Sequence, residues 1–215
     1  MEKQKVRYTL GEEIFNSVTH GVGSLLSIAG TVVLIVCSAI YSDAWAVVSS
    51  CIFGASLIIL YTMSTLYHAL TNDKAKKFFR IMDHDTIFIL IAGTYTPYTL
   101  VNLRGAVGWV LFGIIWGMAV LGVVFNSINL EKFRKVSLVC SIIMGWTIIF
   151  AIKPMIDALP KLSLWFLLIG GIFYTVGVVF YIVKKIKYFH SIWHIFTIAG
   201  SVFHYFSILI AIIKH

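Results

Sequence analysis

Long runs of apolar residues, separated by short polar breaks, dominate the chain from one end to the other. A helix that crosses the hydrocarbon core of a bilayer needs roughly 20 largely apolar residues, and seven stretches approach that length. They cover residues of about 14–40, 44–70, 83–101, 106–125, 136–152, 162–183 and 190–213. The pattern predicts an all-α integral membrane protein, a seven-transmembrane helix bundle that forms a single membrane domain over residues 1–215.

The third stretch is the least regular of the seven. It opens on the polar residues DHDT, which begin at Asp83, and it contains Pro97. A proline is tolerated in a membrane helix when neighbouring groups satisfy the carbonyl that it frees. We therefore expect this stretch to cross the bilayer as the others do.

Composition agrees with a membrane protein. Of the 215 residues, 60% are hydrophobic and 12% are charged, and the mean hydropathy is +0.94. The net charge of +8 lies in short loops, so we expect membrane lipids as partners and no nucleic acid. Cys37, Cys51 and Cys140 lie far apart in apolar runs, which predicts small buried side chains and neither a disulfide framework nor a metal motif.

Lysine and arginine indicate the orientation, because cytoplasmic loops carry an excess of both. Thirteen of the 17 lie in the N-terminal tail and in every second loop, and four lie on the opposite side. The thirteen are Lys3, Lys5, Arg7, Lys74, Lys76, Lys77, Arg80, Lys132, Arg134, Lys135, Lys184, Lys185 and Lys187, and the four are Arg104, Lys153, Lys161 and Lys214. The pattern predicts a cytoplasmic N-terminus and a C-terminus outside the cell membrane.

Five polar side chains interrupt the apolar stretches at one predicted depth, near the inner leaflet. Ser64 and His68 lie near the end of the second stretch, Asp83 opens the third, and His190 and His194 open the seventh. Ionisable groups at membrane depth are costly and usually face a bundle interior. Three imidazoles with water in the fourth position are a known catalytic arrangement of Zn2+, and a nearby carboxylate can act as general base. The pattern favours a zinc site here, with Ser64 one helical turn from His68.

The residues near Asp83 also have simpler interpretations. A histidine in a membrane helix often does no more than hydrogen-bond to a neighbouring helix. Asp83 itself could serve as the N-cap of the third helix, since aspartate is favoured at a helix start. We expect Asp85 and His84 to lie at the membrane interface.

Two further histidines lie within apolar stretches. His20 is a weaker candidate for a metal ligand, and otherwise a structural partner of Asn16. His204 follows His194 by ten residues, which is about 15 Å along a helix axis. It is too far away to share the same ion, so we expect it to hydrogen-bond within the core.

Four segments together resemble the hemolysin III family, which is related to the progestin and adipoQ receptors and more distantly to alkaline ceramidases. They are EEIFNSVTHGVG, STLYH, MDHDTIFILIAGTYTP and HSIWH. The resemblance implies seven helices and zinc toward the inner leaflet, with His68, His190 and His194 as the ligands. It also implies that Asp83 contacts the zinc-bound water and that Ser64 is the serine of the second helix.

The resulting hypothesis is a zinc-dependent hydrolase of a lipid amide or ester, which acts in membrane lipid homeostasis. Its lipid substrate would enter laterally between helices. Two other functions stay open. One is a cytolytic or pore-forming protein, as the family name implies, and the other is a receptor or sensor of membrane state with a structural zinc ion.

Overall fold

A computed structural model describes residues 8–214, so Lys3, Lys5, Arg7 and His215 lie outside the described residues. The described chain is helical almost throughout. Its helices are α1 (Leu10–Tyr41), α2 (Ala44–Ala69), α3 (Asp73–Pro97), α4 (Ala106–Trp146), α5 (Ile152–Ala158), α6 (Lys161–Ile182) and α7 (Phe189–Ile213). A π-helical turn (Tyr98–Asn102) follows α3, and a 3-10 turn (Thr147–Ala151) precedes α5.

The outer surface of the helices is apolar, as it is in proteins surrounded by lipid. Leu25 is 69% exposed, Val110 62% and Trp165 62%. By length and composition, five helical stretches of the described chain can cross a membrane, with Ala106–Ala158 counted as one of them. The all-α membrane fold that the apolar pattern predicts is therefore present.

The long helix α4 folds back on itself at Asn129, whose φ of −162° and ψ of 92° are not helical. The side-chain oxygen of Asn126 accepts a hydrogen bond from Ser137 Oγ at 2.5 Å, although eleven residues of straight helix would span about 16 Å. The chain beyond Asn129 then runs along α3 to Gly145, whose carbonyl accepts a hydrogen bond from the Tyr95 hydroxyl. The two arms of α4, residues 106–128 and 130–146, thus form a helical hairpin where a longer loop was predicted.

Helix α3 begins at Asp73, well before the predicted start at Asp83. Asn72 precedes it, and the Asn72 side-chain oxygen accepts hydrogen bonds from the backbone nitrogens of Lys74 and Ala75. These polar first turns do not register as part of an apolar stretch, which is why the prediction missed them. The N-cap role considered for Asp83 is wrong, since Asp83 lies inside the helix.

The predicted burial of all three cysteines is wrong, whereas the interfacial depth expected for Asp85 and His84 stays a prediction. Asp85 is buried within the protein: it is 2% exposed, and one of its oxygens accepts a hydrogen bond from Ser127 Oγ at 3.2 Å. Cys51 is exposed, while Cys37 and Cys140 are half-buried, and none of the three is in a disulfide. Because lipid tails are as apolar as a protein core, a small apolar side chain here has no need of burial.

The helices contact one another in the order α6, α7, α1, α2, α3 and α4, and contacts between α4 and α6 are sparse. The close contact of α6 with α7 depends on Gly170, where a Cβ would lie against the His204 ring and 3.0 Å from the Gly200 carbonyl. His204 itself bonds to α6, because its Nε2 lies 3.1 Å from the Leu167 carbonyl oxygen, which accepts the hydrogen bond. This contact confirms His204 as a hydrogen-bonding group of the core.

Candidate metal centre

Three histidines from two distant parts of the sequence meet between α2 and α7. His68 lies in the last turn of α2, and His190 and His194 occupy the first two turns of α7. One ring nitrogen of each lies within 4.8 Å of those of the other two. His190 Nε2 and His194 Nε2 are 3.2 Å apart, close to the roughly 3.3 Å that separates two nitrogens bound tetrahedrally at 2.0–2.1 Å from zinc.

Glu13, in the first turn of α1, orients His68. Its Oε2 lies 2.6 Å from His68 Nδ1, and its Oε1 lies 2.7 Å from Lys76 Nζ. The carboxylate requires a proton on Nδ1, so the lone pair of His68 lies on Nε2, which has no hydrogen-bond partner. Carboxylate–histidine pairs of this kind orient metal-binding imidazoles in many proteins.

Buried polar atoms without partners concentrate around the three histidines. A buried polar group is almost always paired in a folded protein, so such a concentration indicates that an ion or water completes the site. Among the described residues, the atoms near this centre are Asn16 Nδ2 and Oδ1, both ring nitrogens of His20, Ser64 Oγ, His68 Nε2, Ser191 Oγ and His194 Nδ1. Neutral imidazoles also bind zinc more readily than they bind a hard cation such as Mg2+ or Ca2+, which prefers oxygen ligands. The residues present therefore fit a zinc ion.

Asp83 and Ser64, the predicted catalytic residues, lie on α3 and α2. Asp83 is half-buried, and its Oδ2 is 3.6 Å from His84 Nδ1. Its carboxylate is not a member of the group of potential ligand atoms. Ser64 is 1% exposed and its hydroxyl has no partner. Both residues stay predicted catalytic groups.

Tyr8 covers the centre from the N-terminal side of α1. Its ring stacks on His190, with centroids 4.8 Å apart and planes inclined by 21°, and it lies 5.5 Å from the His68 ring. Burial, with smaller contributions from the neighbouring phenols and carboxylates, raises the pKa of the Tyr8 hydroxyl well above its ordinary value. Tyr8 is thus a neutral aromatic cover.

A second acidic residue of α1, Glu12, holds the start of α7 in place. Thr9 and Glu12 form a capping box, which starts α1 at Leu10 rather than at the predicted residue 14. Glu12 Oε1 also accepts a hydrogen bond from the backbone nitrogen of Tyr188 at 2.7 Å. Tyr188 has a φ of +62°, a conformation uncommon for a side chain of its size. The contact stabilises the turn that leads into His190.

Glu12 and Glu13 were missed by sequence reasoning, although both belong to the quoted EEIFNSVTHGVG segment. The available signal was depth: a buried carboxylate at the predicted cytoplasmic end of the first helix lies level with His68. No hydrogen bond joins the side chains of His20 and Asn16, so the structural pairing expected between them stays a prediction.

An apolar cavity of about 530 Å³ lies beyond the centre, between α3, the second arm of α4, α6 and α7. Its wall includes Leu60, one turn from Ser64, and Thr197, one turn from His194. Ligand cavities usually have volumes of about 300–1,000 Å³. The cavity follows the open seam between α4 and α6.

A buried histidine cluster inside an apolar helical bundle defines a class: multi-pass membrane proteins with a candidate metal centre between their helices. Within that class the chain belongs to the haemolysin-III-related family, whose model matches residues 8–205. This finding confirms the resemblance in the sequence and indicates a multi-pass integral protein of the cell membrane.

Individual relatives cover nearly the whole chain. Hemolysin-3 of Bacillus cereus is 44% identical over 198 residues, which are 92% of this chain and 90% of that protein. The Hemolysin-3 homolog of Bacillus subtilis (strain 168) is 44% identical over 207 residues, covering 96% and 97%. The Monocyte to macrophage differentiation factor of Homo sapiens is more distant, with 28% identity over 208 residues, covering 93% and 84%.

Proposed function

We propose that this protein is a zinc-dependent membrane hydrolase that cleaves the amide or ester bond of a lipid. The observation that carries the proposal is the histidine cluster, in which Glu13 orients His68 and buried polar atoms lack partners. Zinc held by three imidazoles supplies a Lewis acid that makes water nucleophilic near neutral pH. His68, His190 and His194 would hold it.

The remaining steps belong to side chains on α3 and α2. The Asp83 carboxylate takes a proton from the attacking water and passes it to the leaving nitrogen or oxygen as the bond breaks. The Ser64 hydroxyl, buried and without a partner, donates a hydrogen bond to the carbonyl oxygen as negative charge develops on it. Tyr8 limits access of bulk water from the cytoplasmic side.

The proposal includes a topology of seven crossings with the N-terminus in the cytoplasm. The two arms of α4 on either side of Asn129 each cross once, and α3 crosses although its first half is polar. With α1, α2, α6 and α7 the count is seven. The excess of Lys and Arg at the histidine end of the bundle supports this orientation. A lipid would reach the centre laterally, through the seam between α4 and α6.

The proposal is tested with purified protein in lipid nanodiscs, incubated with defined amide- and ester-linked lipids. Asp83→Asn is expected to lower the rate of hydrolysis about 100-fold or more while zinc content is retained. Asp73→Asn, an exposed acidic residue at the start of the same helix, is the matched control and should keep full activity. Equal rates of lipid hydrolysis for wild type and for zinc-free His190→Ala would contradict the proposal.

A second candidate function comes from the names of the Bacillus relatives, which describe them as hemolysins. In that case the protein would make membranes permeable. Release of a dye from defined liposomes measures this. Equal release by wild type and His190→Ala, without lipid hydrolysis, would favour permeabilisation over the zinc hydrolase.

A further inference from the structure

A smaller cavity, of about 50 Å³, adjoins the apolar cavity at the histidine end of the bundle. The two cavities share Ile87, Ser141, Val178 and Trp193 as lining residues. Helix α6 lines both cavities, from Lys161 in the larger one to Tyr181 in the smaller one. These residues are about 30 Å apart at 1.5 Å per residue. That is about the thickness of the hydrocarbon core, so the internal space is long enough for an extended hydrocarbon chain.

The wall of the smaller cavity is also mainly apolar, but polar groups make up a larger share of it than of the larger cavity's wall. Its wall includes Arg134, Asn126 and Tyr181, and Lys184 Nζ lies 5.9 Å from the centre of the Tyr181 ring. Neither Arg134 nor Lys184 forms an ion pair with another residue of the range 8–214. Two cations without a paired anion therefore lie together at the mouth of an apolar space.

The nearby acidic groups are already engaged. Glu131 pairs with Arg80, Asp85 accepts a hydrogen bond from Ser127, and Asp83 lies beside His84. Partial desolvation, followed by the charges of Arg134 and Arg80, lowers the pKa of Lys184. Lys184 is thus repelled by Arg134 and Arg80 more strongly than it is attracted by Glu131. A bound anion would relieve that repulsion.

Asn126 adds a buried donor at the same place. It is 1% exposed, and its side-chain oxygen is occupied by the hydrogen bond from Ser137. The residue lines the smaller cavity, and its Nδ2 interacts with the Asp85 carboxylate without forming a hydrogen bond of ordinary length and angle. Because a side-chain amide carries two N–H groups, one is left that suits a phosphate or carboxylate oxygen, or the carbonyl of an ester.

From these observations we infer that the two cavities together bind an anionic lipid with a single long hydrocarbon chain. The anionic headgroup lies between Arg134 and Lys184, with Asn126 as a further donor, and the chain extends through the larger cavity toward His204. The cytoplasmic leaflet, where the proposed topology puts this mouth, carries anionic lipids. At the opposite end of the larger cavity the lining includes one lysine, Lys161. It is a less suitable headgroup site, because it is a single exposed cation with no buried donor beside it. Binding does not require hydrolysis.

Tryptophan fluorescence offers a direct test, because Trp146, Trp165 and Trp193 line the larger cavity. The protein is placed in phosphatidylcholine nanodiscs and titrated with a chain-brominated alkyl phosphate, whose bromine atoms quench nearby tryptophans. A maltoside with the same brominated chain shows how much the anionic headgroup contributes to binding. Inorganic phosphate shows how much the hydrocarbon chain contributes. Gly171→Leu puts an apolar side chain into the cavity, and its Cβ would make an ordinary contact, 3.8 Å from Trp146. Gly113→Leu, where a Cβ meets nothing within 4 Å, is its lipid-facing control.

Saturable quenching by the alkyl phosphate is expected, about tenfold tighter than by the maltoside. Replacing Arg134 and Lys184 together by glutamine should remove that difference, whereas Lys135→Gln should keep it. Gly171→Leu should abolish saturable quenching, and Gly113→Leu should not. His190→Ala should still bind the probe, so loss of the proposed hydrolase would leave this result intact.

Three results would overturn the inference. They are equal affinity for the phosphate and the maltoside, loss of the preference in Lys161→Gln but not in the Arg134 and Lys184 variant, and competition by inorganic phosphate as effective as that by the alkyl phosphate. Circular dichroism of each variant shows that it is folded, so a failure to bind is assigned to the site.

Discussion

The rings of His20 and His194 stack, with centroids 3.6 Å apart and planes inclined by 19°. His20 lies on α1 and His194 on α7, so the contact joins the first and last helices at the candidate metal centre. The ring nitrogens of His20 are not members of the group of potential ligand atoms. His20 therefore packs flat against a proposed ligand and does not complete the ligand set.

His20→Phe and His20→Ala separate packing from ligation. Phenylalanine keeps a flat ring against His194, so we expect zinc affinity close to that of wild type. Alanine leaves a void beside the ligand and should weaken zinc binding and stability, by about 2–4 kcal/mol in the free energy of unfolding. Zinc titration and thermal unfolding of both variants check this. Equal loss of zinc in both would show that His20 is a ligand after all.

Glu13→Gln tests the residue that orients His68. The substitution removes the negative charge that holds the proton on Nδ1, and we expect zinc affinity to fall about 10- to 100-fold. Competition with a chromogenic chelator measures the change. Glu131→Gln, which breaks the pair with Arg80 on the exposed side of the bundle, serves as control. Unchanged affinity in Glu13→Gln would contradict the role assigned to this carboxylate.

The histidine pair of α7 was predictable, whereas its support from α1 was not. Residues four apart on a helix share one face, so HSIWH indicates a common ligand face without any tertiary information. Glu13 and His68 are 55 residues apart, and their contact depends on how α1 is rotated against α2. Only the shared membrane depth, read from Lys and Arg, pointed toward it.

Helix boundaries were least predictable where charged residues continue a helix. The segment that follows Asn129, LEKFRK, has the charges of a polar loop, yet most of its residues are good helix formers. The chain needs only Asn129 in a non-helical conformation to turn back. The same reason extends α3 to Asp73. A run of apolar residues indicates which part of a helix lies in lipid, and not how long the helix is. Helical turns outside the hydrocarbon layer are therefore not predicted from it.

Gly170→Ala tests the close approach of α6 to α7. A Cβ at Gly170 would collide with the His204 ring, while one at Gly171 would make an ordinary contact, 3.8 Å from Trp146. We expect Gly170→Ala to lower the free energy of unfolding by about 1–3 kcal/mol and Gly171→Ala to leave it nearly unchanged. Thermal unfolding in detergent compares the two. Equal stability would mean that the helices can separate at no cost.

Asp43 links the α1–α2 turn to the opposite end of α3. It is the N-cap of α2, accepting a hydrogen bond from the Ala46 nitrogen at 3.1 Å, and it pairs with Arg104. The hydrogen bond from Arg104 is the main cause of a lowered pKa of Asp43. A carboxylate with a lowered folded pKa stabilises the fold above its unfolded pKa of about 3.9. That contribution is lost as pH falls through the folded pKa.

Stability of wild type should therefore fall more steeply below about pH 4 than that of Arg104→Gln. Asp43→Asn keeps the cap and should resemble Arg104→Gln at neutral pH, while Asp43→Ala loses about 0.5–2 kcal/mol with the cap. Unfolding curves between about pH 3 and pH 7 measure both effects. Parallel pH profiles for wild type and Arg104→Gln would refute the assigned pair.

The proposed function requires that His68, His190 and His194 hold one zinc ion. The decisive measurement is anomalous X-ray scattering from crystals of the protein on either side of the zinc absorption edge. We expect a single zinc peak about 2.0–2.1 Å from one nitrogen of each histidine, and no peak in crystals of His190→Ala. Absence of the peak in wild type, or a zinc position away from these three rings, would contradict it.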